Sequence, residues 1–237
     1  MSRKKKLERF REMKSFPNVY EINYYDVNNK DFQLKGKWKQ AYFKNNNPIV
    51  VELACGKGEY TINLAKTYPS TNFIGIDIKG ARMYVGAKKA LNENMANVLF
   101  IRTRIEFLHS IFDNGEINEI WLTFPDPQEK KSNSKKRLTS SRFLNMYKNI
   151  LSGDRIVNLK TDNTILYNYT KNILITNNTK IESDIFDVYN TPSRDKILDI
   201  KTYYESMFLN EGKEIHYLRF KLNKDIDYIE PEELIGR

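Results

Sequence analysis

Residues 49–58 read Ile49-Val50-Val51-Glu52-Leu53-Ala54-Cys55-Gly56-Lys57-Gly58, and this stretch decides the fold. A β-branched run that ends in two closely spaced glycines is a strand feeding a tight turn. A helical pattern follows over 59–67. The same alternation continues outward: strands at 72–78, 97–102, 118–124 and 155–160, with helices over 81–92, 105–112, 140–151 and 164–175. Gly153 reads as the stop of the 140–151 helix. A sixth strand is expected within 180–189, a helix at 202–209 and a last strand at 214–222. Strands separated by helical patterns predict an α/β, doubly wound, mostly parallel seven-stranded sheet.

The domain spans 41–224, with residues 1–40 read as a basic N-terminal arm and 225–237 as a C-terminal tail. In such sheets ligands sit at the carboxyl ends of the strands. The turns after the strands therefore carry the functional reading.

Composition limits the function classes. The 237 residues are 40% hydrophobic and 13% aromatic, enough to fill a core. The longest apolar run is about eight residues, against the roughly 20 of a membrane span. One cysteine and two histidines, His109 and His216, predict neither an intramolecular disulfide nor a metal site. Both histidines read as ordinary helix and strand residues. The charged N-terminus lacks an apolar signal segment, so the expected location is the cytoplasm.

The net charge of +9 is concentrated. Residues 1–40 carry a net +6 and residues 128–142 a net +5, which leaves the remainder slightly acidic. Clustered cations point to a polyanion such as nucleic acid. Compositional drift toward lysine, 27 Lys against 12 Arg, explains the residue type better than the clustering.

Gly56 and Gly58 let backbone N–H groups approach a ligand, but Thr61 stands where a dinucleotide fingerprint has its third glycine. Asp77, 19 residues after Gly58, ends the second strand where an acid grips ribose hydroxyls. Glu52 is a second acid among apolar neighbours and needs a partner there. Acid, glycine turn and second acid suit a cationic cofactor without pyrophosphate. S-adenosyl-L-methionine (SAM) fits, and NAD fits less well. Cys55 reads as a small wall residue.

The fourth strand runs into Phe124-Pro125-Asp126-Pro127, then Lys130-Lys131 and Lys135-Lys136-Arg137-Leu138-Thr139. Two prolines restrict the backbone on either side of Asp126. A cationic loop on the same sheet edge would hold phosphates.

These motifs resemble the bacterial tRNA (guanine-N7)-methyltransferases. The marks are Glu52 to Gly58, Gly75-Ile76-Asp77, Phe124 to Pro127 with its basic continuation, Lys160-Thr161-Asp162-Asn163, and Thr202-Tyr203-Tyr204-Glu205. The resemblance implies a Rossmann-like SAM-dependent methyltransferase fold with an antiparallel C-terminal strand. It also implies methyl transfer to N7 of guanosine 46 in the tRNA variable loop. Glu52, Gly56, Gly58, Asp77, Arg104 and Asp126 would bind SAM, and Asp126 would also be catalytic. Lys130, Asp162, Thr202, Tyr203, Tyr204 and Glu205 would bind the substrate nucleotide. Ser132, Asn133, Ser134, Lys135, Lys136 and Arg137 would touch tRNA.

Two positions depart from the family. Gln128 replaces the usual aromatic residue after the second proline. Arg104 replaces an acid or amide at the adenine, so either its backbone or Glu106 makes that contact. Other classes are a non-catalytic RNA-binding protein, an NAD-dependent oxidoreductase and a small-molecule methyltransferase. The missing third glycine and the second basic patch weigh against the last two.

Overall fold

The computed structural model describes residues 3–28 and 30–232. The chain divides into two units, Met1–Ile117 and Asn118–Arg237.

The first unit holds helix α1 (Arg3–Met13), strand β1 (Val19–Glu21), helix α2 (Tyr24–Val27), a π-helical turn (Trp38–Phe43) and strand β2 (Ile49–Leu53). Helix α3 (Glu59–Thr67), strand β3 (Asn72–Asp77), helix α4 (Gly80–Asn92), strand β4 (Val98–Arg102) and helix α5 (Leu108–Ile111) follow. The strands lie in the order β1-β4-β3-β2, with all three pairings parallel. Every residue of β2 and β3 is buried, as expected for parallel strands covered on both faces.

The stretch expected as a basic arm is packed onto this unit. Its apolar residues, interleaved with the lysines, find partners there. Met13 and Trp38 are fully buried, and β1 pairs with β4. Glu12 accepts from Tyr84 at 2.5 Å and pairs with Lys88 at 2.7 Å, which fastens α1 to α4. The Trp38 indole donates to the Ile111 carbonyl at 3.0 Å. With β1 counted, the described residues hold eight strands against the seven expected.

The second unit holds strand β5 (Ile117–Thr123) from its second residue on, a 3-10 turn (Lys131–Lys136), helix α6 (Ser141–Ile150), strand β6 (Leu151–Thr161) and helix α7 (Thr164–Thr176). Strand β7 (Lys180–Ile185), a 3-10 turn (Lys196–Asp199), helix α8 (Tyr203–Asn210) and strand β8 (His216–Lys221) complete it. The order is β5-β6-β8-β7, and β8 runs antiparallel to both β6 and β7. Strand β6 begins directly where α6 ends, four residues earlier than its sequence pattern suggests. Gly153 lies inside that strand at φ +54°, not in a helix cap. Charged Lys180, Glu182 and Asp184 alternate along β7, the kind of pattern that blunts an edge strand.

Residues 225–232 are tied down as well. Tyr228 is buried. Glu230 accepts from the Ser141 backbone N–H at 2.9 Å, at the first turn of α6, and from the Tyr169 hydroxyl at 2.7 Å. Residues 233–237 of the expected tail lie outside the described residues.

Candidate active site

The first unit places two carboxylates on neighbouring strand ends, with Glu52 paired in register with Gly75, two residues before Asp77. Glu52 is 3% exposed. Its Oε2 accepts from the Thr61 backbone N–H at 2.8 Å and from the Thr61 hydroxyl. Thr61, the residue that breaks the dinucleotide pattern, is therefore the partner a buried acid requires. Asp77 accepts from the Gly56 N–H at 2.9 Å and from the Lys79 N–H at 2.7 Å. The acid thus fixes the glycine turn as well as facing its end.

Gly56 and Gly58 take φ of +57° and +69°. A Cβ on Gly58 would stand 2.4 Å from the Phe100 ring, whereas one on Gly56 would meet nothing within 4 Å. Gly58 is thus required by packing, and Gly56 keeps space open at the turn. Burial pushes the Cys55 thiol up, and the nearby Glu52 and Asp77 charges add to that. Cys55 is a protonated wall residue, as its sequence context suggests.

The donor set fits a cofactor with a ribose diol and a positive charge. Two acids and a glycine turn suit it, with both carboxylates held by backbone N–H donors around the turn. Arg104 is exposed, and its guanidinium lies 3.4 Å from Glu106. The neighbouring Thr103 N–H donates to the Asp77 carbonyl at 3.2 Å. The Thr103 hydroxyl is buried and carries no hydrogen bond, a polar atom that sequence patterns do not single out.

In the second unit, Asp126 is exposed at the end of β5. Phe124 and Gln128 on either side of the Pro-Asp-Pro segment both hold positive φ, +49° and +46°. Non-glycine residues persist there only when their surroundings hold them. Arg137 does the holding. Its Nε donates to the Pro127 and Gln128 carbonyls, each at 3.2 Å, and its Nη2 to the Glu129 carbonyl at 3.2 Å. Its guanidinium stacks over Tyr169 at 4.3 Å. Arg137 is 3% exposed and Ser134 is 9% exposed, so both are turned away from any ligand surface. Lys130, Lys131, Ser132, Lys135 and Lys136 are the exposed members of the basic loop, with Asn133 half-buried.

Asp162 follows the end of β6 and pairs with Lys213 at 2.9 Å. Asn163 caps α7 and donates to Glu129 at 2.8 Å, tying the Asp162 turn to the Pro-Asp-Pro loop. Thr202 and Glu205 form the capping box of α8. Glu205 is turned inward. It is fully buried, 2.6 Å from the equally buried Lys160, and accepts from the Tyr189 hydroxyl at 2.7 Å. Burial pulls the Lys160 ammonium down from its ordinary range, against the opposing pull of Glu205. Lys160 also donates to the Leu198 and Ile200 carbonyls at 2.7 and 3.1 Å. Of the four residues 202–205, Tyr203 is the one most exposed to solvent.

Among the described residues, no group of three His, Cys, Asp or Glu side chains is placed to hold a metal ion. None of their helices is long and apolar enough to cross a membrane.

An α/β fold with acidic, glycine-turned strand ends defines the class of Rossmann-like methyltransferases, and comparison with known proteins narrows it. Residues 46–218 match a family model described as "Putative methyltransferase". A tRNA (guanine-N(7)-)-methyltransferase of Christiangramia forsetii is 48% identical over 223 residues, covering 94% of this chain and 100% of that one. One from Bacteroides fragilis is 47% identical over 229 residues, covering 97% and 90%. The chain belongs to this tRNA (guanine-N(7)-)-methyltransferase family.

Solved structures share the fold at low identity. The 16S rRNA methyltransferase KamB superposes with a TM-score of 0.60 at 10% identity, covering 79% of this chain and 93% of that one. A 16S rRNA (adenine(1408)-N(1))-methyltransferase from Catenulisporales acidiphilia, solved with the cosubstrate SAM, gives 0.54 at 13% identity, covering 82% and 93%.

Proposed function

We propose that this protein transfers a methyl group from SAM to N7 of a guanosine in tRNA, at position 46 of the variable loop, in the cytoplasm. The observation that carries the reading is the near-full-length identity of 47–48% to relatives of that name. The acidic glycine turn and the clamped Asp126 loop agree with it. Bound SAM supplies an electrophilic methyl carbon on a sulfonium.

The remaining work falls to the chain. Glu52, through Thr61 and the start of α3, and Asp77, through the Gly56 turn, offer a negatively charged, prearranged seat. Gly56 and Gly58 shape the turn against the cofactor, their own N–H groups donating to Asp77 and to the Cys55 carbonyl, and the backbone beside Arg104 with Glu106 borders the adenine. Guanine N7 has a lone pair and no proton, so no base need deprotonate it. Catalysis then rests on alignment and on fixed charge near the purine as it becomes cationic. Asp126 is the catalytic residue in this electrostatic sense. Its exposed carboxylate is held by two prolines and by the Arg137 clamp. Asp162 and the Thr202–Tyr204 turn border the base. Lys130, Ser132, Asn133, Lys135 and Lys136 contact phosphates.

The test is to incubate the protein with unmodified tRNA and methyl-labelled SAM and map the product by mass spectrometry. A single 7-methylguanosine in the variable loop is expected. Its absence, with the protein folded and binding SAM, overturns the reading.

A further inference from the structure

The turn between α8 and β8 brings Lys213 to the end of β6, because those two strands are antiparallel neighbours with Thr161 opposite His216. The Lys213 ammonium is held from three sides. It lies 2.9 Å from Asp162 and 3.5 Å from Glu211, and 4.3 Å from the centre of the Phe208 ring. Phe208 in turn packs against Phe124, centroid to centroid 5.7 Å, at the start of the Asp126 loop. A carboxylate, an ammonium and an aromatic face thus stand together beside the segment that carries Asp126. Lys213 is part-exposed, with 42% of its side-chain surface open, so the pair is reachable. No motif in the sequence singled this lysine out.

We propose that Lys213 and Asp162 act as one unit that reads the guanine edge, with Lys213 donating to O6 while Asp162 accepts from N1–H and N2–H. This rests on the proposed methyl transfer to guanosine. Guanine presents an acceptor, O6, directly beside the donor N1–H. A carboxylate oxygen already hydrogen-bonded to an ammonium presents the complementary pattern. Adenine presents an amino group where O6 stands and a bare N1 where guanine has N1–H. It would set donor against ammonium and lone pair against carboxylate. A site built from charged hydrogen-bonding groups rejects such an analogue strongly, because its own groups are left unpaired. The carboxylate also raises the Lys213 pKa, so the ammonium stays charged while it waits for a base. Lys213 is thus a specificity-determining residue.

The test uses full-length protein and tRNA transcripts carrying guanosine or 6-thioguanosine at the target position. Sulfur is a weak acceptor, and N1–H and N2–H are kept. Wild-type kcat/KM is expected to fall about 10- to 100-fold on the thio transcript, the loss of one charged hydrogen bond. Lys213→Met keeps the stem over Phe208 and is expected to lose a similar factor on guanosine. On that variant, the further penalty for sulfur should shrink to within about threefold. SAM affinity and melting temperature should hold. An undiminished sulfur penalty in Lys213→Met, or an equal loss of SAM binding, overturns the proposal. So does a wild-type enzyme indifferent to sulfur, an arm that needs no variant to fold. Failure of the parent reading looks different: no 7-methylguanosine from wild type on the unsubstituted transcript.

Discussion

Replacing Arg137 by alanine separates two roles that its place in the basic loop suggests. The sequence expectation was contact with tRNA. In the structure the side chain is 3% exposed and turned toward three consecutive carbonyls. Two of its three hydrogen bonds share the single Nε–H, and all three are 3.2 Å long. They count as about two charge-assisted bonds at the low end of the usual range, about 1.5 kcal/mol each. The stack on Tyr169 contributes about 1 kcal/mol more. Rehydration of the exposed Glu129 carbonyl returns part of that, which leaves a loss of about 3 kcal/mol. For a chain of this size that corresponds to a melting temperature lower by roughly 6–12 °C. The loop would then lose the restraint on Phe124 and Gln128, and Asp126 would wander. A displacement near 1 Å costs about 100-fold in rate. Arg137→Ala should therefore lower stability and kcat together, with KM for tRNA near wild type and SAM affinity lowered at most by the share Asp126 contributes. Urea unfolding, SAM titration and methyl transfer across salt concentrations measure each of these. A variant with unchanged stability and kcat, a raised tRNA KM and a flatter salt dependence would refute the clamp and restore the RNA contact.

The two glycines of the cofactor turn should behave differently. Gly58→Ala puts a Cβ 2.4 Å from Phe100 at positive φ, a destabilisation of about 2–4 kcal/mol that chemical denaturation would register. Gly56→Ala meets no protein atom within 4 Å and should lose only about 1 kcal/mol of stability. Its SAM affinity should nevertheless drop more than tenfold, and isothermal titration that finds normal affinity would contradict an open seat at Gly56. Lys160→Met leaves the fully buried Glu205 without its cation and should cost about 3–5 kcal/mol of unfolding free energy. Adding Glu205→Gln should recover much of that, and strict additivity of the two changes would deny the pairing.

What the sequence made legible and what it hid differ in physical kind. Periodicity located the strands to within one residue at either end for β2 to β5, because a strand buried on both faces must be a continuous apolar run. Ligands at a parallel sheet gather at strand ends, so Glu52, Asp77 and Asp126 stand out as candidates from position and type, whereas Asp162 stands out only through the family resemblance. The seat of residues 1–40 was not. Their lysines dominate the composition, while the burial of Met13 and Trp38 depends on α4 and α5, far along the chain.

Side-chain direction was equally hidden. Lys135, Lys136 and Arg137 are neighbours of one charge, yet the first two face solvent and the third faces the loop it braces. A planar guanidinium with five donors can satisfy several carbonyls in one loop, which an ammonium cannot do with fixed geometry. That difference, invisible to a charge count, explains why the arginine of the cluster is the one turned inward. Glu205 repeats the lesson with the opposite sign. Its motif marked it for the substrate, but the buried Lys160 of β6, 2.6 Å away, has the prior demand on its charge. Among the candidate site residues, Asp126, Tyr203 and the outward lysines are exposed and Asp162 is half-buried. The inward ones, Arg137, Lys160 and Glu205, set where those groups stand.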